Sequence, residues 1–185
     1  MVATEIYEYN ISDKIINAVK NQQEGLFYFV APYTIAFTGY GNTIDRAVCK
    51  EKGVTIKDLP NQGGIIVSGY GSISVGHLSK NTKNTFNQQL TNYLKTWFES
   101  KGLKVVLEEN DLLIDGIYKV ASSGSRRFGD VLFSTFHISY TVDLDLIKAI
   151  CTKPMKKIPK GLADYGIYSS ELLKAFQEFV QGVDE

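Results

Sequence analysis

Apolar positions along this chain repeat with two periods, and each period marks a different kind of element. Between residues 11 and 20, Ile11, Ile15, Ile16 and Val19 fall on one helical stripe, which predicts an amphipathic helix capped by Asn10 or Ser12. Leu26–Val30 and Thr34–Phe37 read as strands hinged at Ala31-Pro32. Proline has no amide hydrogen to give to a ladder, so an edge hairpin is predicted there. The run from Thr43 to Gly53 follows the turn Gly39-Tyr40-Gly41 and reads as a short helix, with Thr43 as cap and Gly53 as its left-handed stop. A strand follows at Val54, Thr55 and Ile56.

The clearest helix spans residues 82–101, where Phe86, Leu90, Leu94, Trp97 and Phe98 keep the helical spacing and Lys101-Gly102 closes it. Strand signals then dominate. Val105, Val106 and Leu107 lead through Glu108-Glu109 to Leu112, Ile114, Ile117 and Val120, the apolar positions of a hairpin whose predicted two-residue turn is Asp115-Gly116. Beyond Arg126-Arg127, alternation at Val131, Phe133, Thr135, His137, Ser139 and Thr141 marks a further strand. The chain closes with a helix from Asp143 to Ile150, a loop around Pro154 and Pro159, and a helix near Glu171–Val180. That last helix buries Leu172, Phe176, Phe179 and Val180 and takes Ser169 or Ser170 as cap.

Composition narrows the class. With 185 residues, 44% of them hydrophobic, and a formal net charge of zero, the chain has enough length for one domain with a sizeable core. Charge neutrality gives no general reason to expect nucleic acid or an anionic membrane as partner. Cys49 and Cys151 are too few and too far apart for a disulfide framework or a zinc site. No apolar run approaches the ~20 residues of a membrane span, and no basic-then-apolar leader follows Met1, so a reducing, cytoplasmic setting is expected.

The candidate chemistry centres on Lys119, which lies inside a strand among apolar and small residues and is followed by Ser122, Ser123 and Gly124. A strand ammonium either snorkels to water or pairs with an anion, because burying it bare is costly. Successive strand residues face opposite ways, so at most one of Arg126 and Arg127 shares the Lys119 face; a solvated pair is the simpler expectation. His137 is a lone histidine within a strand, and His77 has no motif around it. Cys151 has Lys148 and Lys153 near it in sequence, but a thiol acts as a nucleophile only with a lowered pKa and access to substrate.

The stretch NDLLIDGIYKVASSGSRR, followed by His137 and then VDLDLI, resembles the segment around the signature lysine of the lipoate-protein ligase and biotin-protein ligase superfamily. Lys119 falls on the family lysine when one extra residue is allowed after Gly116. Ser122 replaces a family glycine, and Ile138 follows the histidine where glycine is usual. In the glycine-rich segment, Gly63, Gly64 and Gly71 fit the family register, with Ile66 on its valine. The family's arginine pair falls on Asp58-Leu59, its first glycine on Gln62 and its histidine on Ser68. Element order resembles the family from about Ile6 to Val180.

The resemblance implies an α+β fold of the class II aminoacyl-tRNA synthetase and biotin-lipoate ligase kind, a mixed and largely antiparallel sheet with packed helices, in one catalytic-type domain without an accessory domain. It also implies activation of lipoate or octanoate with ATP and Mg²⁺ as an acyl-adenylate, then transfer to a lysine of a lipoyl-type carrier domain. Biotin is less expected because the G-R-G-R-x-G-R loop is missing. Lys119 would be the catalytic group. Gly63, Gly64, Gly71, Asn110, Asp111, Ser122, Ser123 and His137 would surround the ligands, and an accessory subunit is conceivable. An acid or aliphatic residue where guanidinium groups neutralise phosphate removes a strong contact, so a binding protein on the same scaffold stands beside the enzyme as an alternative.

Overall fold

The computed structural model describes residues 3–5, 11–38, 44–59, 65–80 and 85–183. In chain order they form β1 (Ala3–Glu5), α1 (Ile11–Lys20), β2 (Gly25–Val30), β3 (Ile35–Thr38), α2 (Arg46–Glu51), β4 (Thr55–Asp58), β5 (Ile66–Ser68), β6 (Ile73–Ser79) and α3 (Thr85–Ser100). There follow β7 (Val105–Glu108), β8 (Asp111–Ile114), β9 (Tyr118–Phe128), β10 (Val131–Ile138), α4 (Leu144–Ile150), β11 (Ile158–Pro159), a 3-10 turn at Leu162–Tyr165 and α5 (Ser169–Val183).

An eight-stranded sheet runs β1-β2-β6-β10-β9-β8-β7 with β11 added beside β9, and a three-stranded sheet runs β4-β3-β5. In the large sheet only β1 on β2 and β11 on β9 are parallel among the described residues, so it is mixed and largely antiparallel, as the resemblance implies. Strand alternation sorts its side chains to two faces. One face turns Tyr28, Val75, Phe136 and Ile138 to the apolar stripes of α3 and α5, which supply Phe86, Leu90, Leu94, Phe98, Leu172 and Phe176. The helical spacing of those residues is what brings them to one side, and burying each contributes about 1.5–3 kcal/mol. No described helix is long and apolar enough to cross a membrane.

The opposite face turns Phe29, Leu78 and Phe133 toward Ile15, Ala18 and Val19 of α1 and toward Ile35 and Phe37 of the small sheet. Ala36, Cys49, Val54 and Ile150 form a further cluster, which unites the small sheet with α2 and α4.

Three local expectations are corrected. β2 and β3 are not a hairpin: β2 pairs with β6, whereas β3 pairs with β4 and β5. Ala31 N still donates to Ser72 O at 2.9 Å, so β2 runs one residue further before Pro32, with no amide hydrogen, ends it and lets the chain cross between sheets. The N-cap of α2 is Asp45, whose Oδ1 accepts from Ala47 N and Val48 N at 3.0 Å; Thr43 lies outside the described residues. The turn after β8 takes three residues, since Ile114 pairs with Tyr118, and Ile117 stands 53% exposed there rather than buried in a strand. Asp115 and Gly116 adopt the positive φ angles, 55° and 69°, that the turn needs. The turn Gly39-Tyr40-Gly41 and the Asn10 cap also lie outside the described residues.

Candidate functional site

Register brings three of the candidate residues, Asp111, Ser122 and His137, into one line with Ser74. Ser74 of β6 pairs with His137 of β10, His137 pairs with Ser122 of β9, and Ser122 pairs with Asp111 of β8, so all four side chains leave the same face. Simple alternation from Ser122 would turn Lys119 to the other face. It does not, because β9 has an irregularity against β8: Leu112 pairs with Ala121 while Leu113 pairs with Lys119, leaving Val120 as an extra residue. Val120 and Ala121 are both buried in the core beneath α3 and α5, and Lys119 returns to the face of Asp111.

That face opens into a cavity of about 320 Å³. Ile65, Ile66 and Val67 of the small sheet and Val142, Ile147 and Met155 give it apolar walls, and Lys119, Lys153, Lys156 and Lys157 also line it, together with Glu109 and Asp111. Lys153, Lys156 and Lys157 belong to the proline-rich segment after α4, and β11 holds that segment by pairing Pro159 beside Lys119. Sequence periodicity gave no reason to select these lysines, since the segment has neither helical nor strand period.

Asp111 is the local anchor. Its Oδ2 lies 3.1 Å from Lys157 Nζ and its Oδ1 lies 3.9 Å from Lys119 Nζ. Lys157 Nζ also meets Glu108 Oε1 at 3.3 Å and donates to the Glu108 carbonyl at 3.3 Å. Burial lowers the Lys157 pKa, but the hydrogen bonds and charges of Asp111 and Glu108 outweigh it and hold the ammonium above its ordinary range.

His137 is 5% exposed, and its Nδ1 lies 3.1 Å from Ser74 Oγ and 3.3 Å from Ser68 Oγ, the two hydroxyls being 3.1 Å apart. Burial, and secondarily the charge of Lys119, push its pKa down to about 3, so the ring is neutral at physiological pH. Its Nε2 is buried with no hydrogen-bond partner among the described residues, and the ring lines the cavity. A neutral imidazole so placed can give or accept one hydrogen bond from a ligand, according to its tautomer.

The other expected residues are distributed differently. Ser122 lines the cavity. Ser123 belongs to the opposite face, where it pairs with Phe136, and it joins Asn110 through the Asn110 carbonyl, which accepts from Ser123 N at 2.8 Å. Gly71, with φ +75°, does not line the cavity: its Cα packs against the Tyr140 ring, where a side chain would collide. Gly63 and Gly64 lie outside the described residues. Arg126 is on the Lys119 face but its guanidinium lies over Phe128, 5.1 Å from the ring centre, and neither Arg126 nor Arg127 lines the cavity. Cys151 does line it, yet burial, followed by Cys49, raises its thiol pKa, the wrong direction for a nucleophile. His77 lies against the other layer, stacked on Phe86 at 4.4 Å.

No family model matches the sequence, and no curated protein matches it. Solved structures do. A lipoate-protein ligase A bound with ATP superposes with a TM-score of 0.72 at 13% identity, over 98% of this chain and 84% of that one. A bipartite lipoate protein ligase from Thermoplasma acidophilum, studied with its E2 lipoyl domain, superposes with a TM-score of 0.68 at 15% identity, over 98% of this chain and 82% of that one. LipL1 of P. falciparum in complex with lipoate gives 0.67 at 16% identity, over 97% of this chain and 62% of that one. The chain has the fold of the lipoate-protein ligases. Within that lipoate-ligase fold the cavity is where Asp111, Lys119, Ser122 and His137 meet the basic segment after α4.

The Mg²⁺ that the resemblance implies does not fit the side chains of the described residues. Among the described residues no group of three or more His, Cys, Asp or Glu could hold a metal ion, and the oxygens of Asp111 and Glu108 already surround the Lys157 ammonium.

Proposed function

We propose that this protein is a lipoate- or octanoate-protein ligase-like enzyme whose acyl acid occupies the cavity between the two sheets. The observation that carries this reading is the joining of an apolar wall, Ile65 to Val67, to the ammonium of Lys119 across one space. A medium-chain acid has that polarity: the chain gains about 25 cal/mol per Å² of apolar surface it buries, and the carboxylate gains a charge-assisted hydrogen bond from Lys119. Tyr70, bulky enough to obstruct the space, instead stands 59% exposed outside it.

In this reading the carboxylate attacks the α-phosphate of ATP, pyrophosphate leaves, and a lysine amine of a lipoyl-type carrier domain then attacks the acyl carbon and releases AMP. Lys119 follows the charge as it moves from carboxylate to phosphate, and positioned positive charge is where such a step gains most. The solved relatives that hold ATP, or that work with an E2 lipoyl domain, support the choice of co-substrate and acceptor. A second reading, acid binding without activation, is favoured by one specific observation: among the described residues every cationic residue that lines the cavity is a lysine, and none supplies the planar fork of a guanidinium to phosphate.

Calorimetry with lipoate and octanoate, followed by acyl transfer to an apo lipoyl domain with ATP, separates the readings. Binding with transfer supports the ligase, and binding without transfer supports the second reading. Lys119→Ala is expected to weaken acid binding at least about tenfold, the loss of one charge-assisted hydrogen bond. Absence of binding by either acid sinks both.

A further inference from the structure

A hard divalent cation is held by converging carboxylate and carbonyl oxygens. Beside the cavity there is such a convergence among the described residues: Asp111 Oδ2, Glu108 Oε1 and the Glu108 carbonyl oxygen lie 3.1, 3.3 and 3.3 Å from a single point. That point is the Lys157 ammonium, whose side chain is only 16% exposed. The only other ammonium within 4.0 Å of Asp111 is that of Lys119, at 3.9 Å, so without Lys157 the Asp111 carboxylate has Lys119 as its nearest cation among the described residues.

We propose that Lys157 is the resident cation of this site: it fills the oxygen nest that a divalent metal would need, holds the Oδ2 oxygen of Asp111, and thereby leaves Lys119, 3.9 Å from the other oxygen, to engage an anionic head group without a metal. Lys157 is thus a positioning residue that acts through Asp111. The cost of burying Asp111, whose side chain is 18% exposed, is offset by Lys157 within the chain itself, whereas a metal-dependent site would leave it only Lys119, at 3.9 Å, until the ion arrived. The part of the proposal that concerns the head group rests on the acyl-acid reading above; the part that concerns the nest does not.

The test uses the whole chain in two arms. In the first, Mn²⁺ binding is followed by electron paramagnetic resonance with no acid present. The native protein is expected to take up no Mn²⁺ at this place, and Lys157→Ala to take up one ion, lost again in Lys157→Ala/Asp111→Asn. In the second arm, octanoate binding is measured in EDTA and in excess Mg²⁺. The native affinity is expected to be the same in both. Lys157→Ala should bind about tenfold more weakly in EDTA and recover in Mg²⁺, and the double variant should recover in EDTA, because Asp111→Asn no longer draws on Lys119. Lys157→Gln, which keeps the length of the side chain, repeats both arms, and thermal melts verify that each variant is folded. Uptake of Mn²⁺ by the native protein that Asp111→Asn abolishes overturns the proposal, as does a native octanoate affinity that Mg²⁺ raises tenfold. If octanoate binds to no variant, the acyl-acid reading fails while the Mn²⁺ arm still decides the role of Lys157.

Discussion

At the scale of single residues, His137 couples the site to the stability of the fold. Its ring is buried between Ser68 and Ser74 on one side and the cavity on the other, and its pKa is held near 3 by burial, with Lys119 adding to the effect. In the unfolded chain the same imidazole titrates near 6.5. The unfolded state therefore binds more protons than the folded state throughout the window from about 6.5 down to about 3. The stability this group provides is complete above that window and falls as pH drops through it, with a slope approaching 1.4 kcal/mol per pH unit. Urea unfolding of the native protein between pH 7 and pH 4 should show that slope beyond what carboxylates contribute, and His137→Gln should flatten it. An equal slope in the two proteins would mean that His137 takes up its proton without unfolding.

At the scale of elements, β9 decides what the sequence could and could not disclose. The helices were legible because their apolar stripes are long: Phe86, Leu90, Leu94 and Phe98 leave no other period, and α3 follows the predicted span closely. Alternation from Val131 to His137 was equally plain, and those four residues do share a face of β10. What counting could not reach was the face of Lys119. Lys119 and Ser122 are an odd number of residues apart, and only the pairing with β8 reveals that Val120 is extra. In the same way, a strand pair that crosses between two sheets looks in sequence like a hairpin, as β2 and β3 did, because partner choice is a long-range property. Lys157 was missed for a third reason: it is recruited from an irregular segment by the carboxylates it meets, with no period to mark it.

The bulge gives an element-scale prediction. Tyr118 pairs with Ile114 and Lys119 with Leu113, so the two side chains leave opposite faces. The exchange Tyr118→Lys/Lys119→Tyr preserves composition and net charge but points the ammonium away from Asp111. If the face matters, octanoate binding should fall as far as it does in Lys119→Ala. If only local positive charge matters, calorimetry should give nearly the native affinity.

At the scale of the whole molecule, the cavity has walls from three separate parts of the chain. β5 is an edge strand of the small sheet, Asp111, Lys119 and His137 belong to the large sheet, and Lys153 to Lys157 hang between α4 and the short strand β11. A ligand that fills this space touches all three, so its binding energy adds to the cohesion of the molecule and not to one loop. At a concentration about 100-fold above the dissociation constant, such a ligand stabilises the folded state by about 2.7 kcal/mol. For a chain of 185 residues that corresponds to a rise in Tm of roughly 5–10 °C. The rise should be accompanied by slower amide hydrogen exchange in Ile66–Ser68 and in residues 151–159 at the same acid concentration, because both are edges that the ligand closes. Octanoate or lipoate that raises Tm while protecting only one of these segments would be bound against a single wall, and the cavity between the sheets would not be its site.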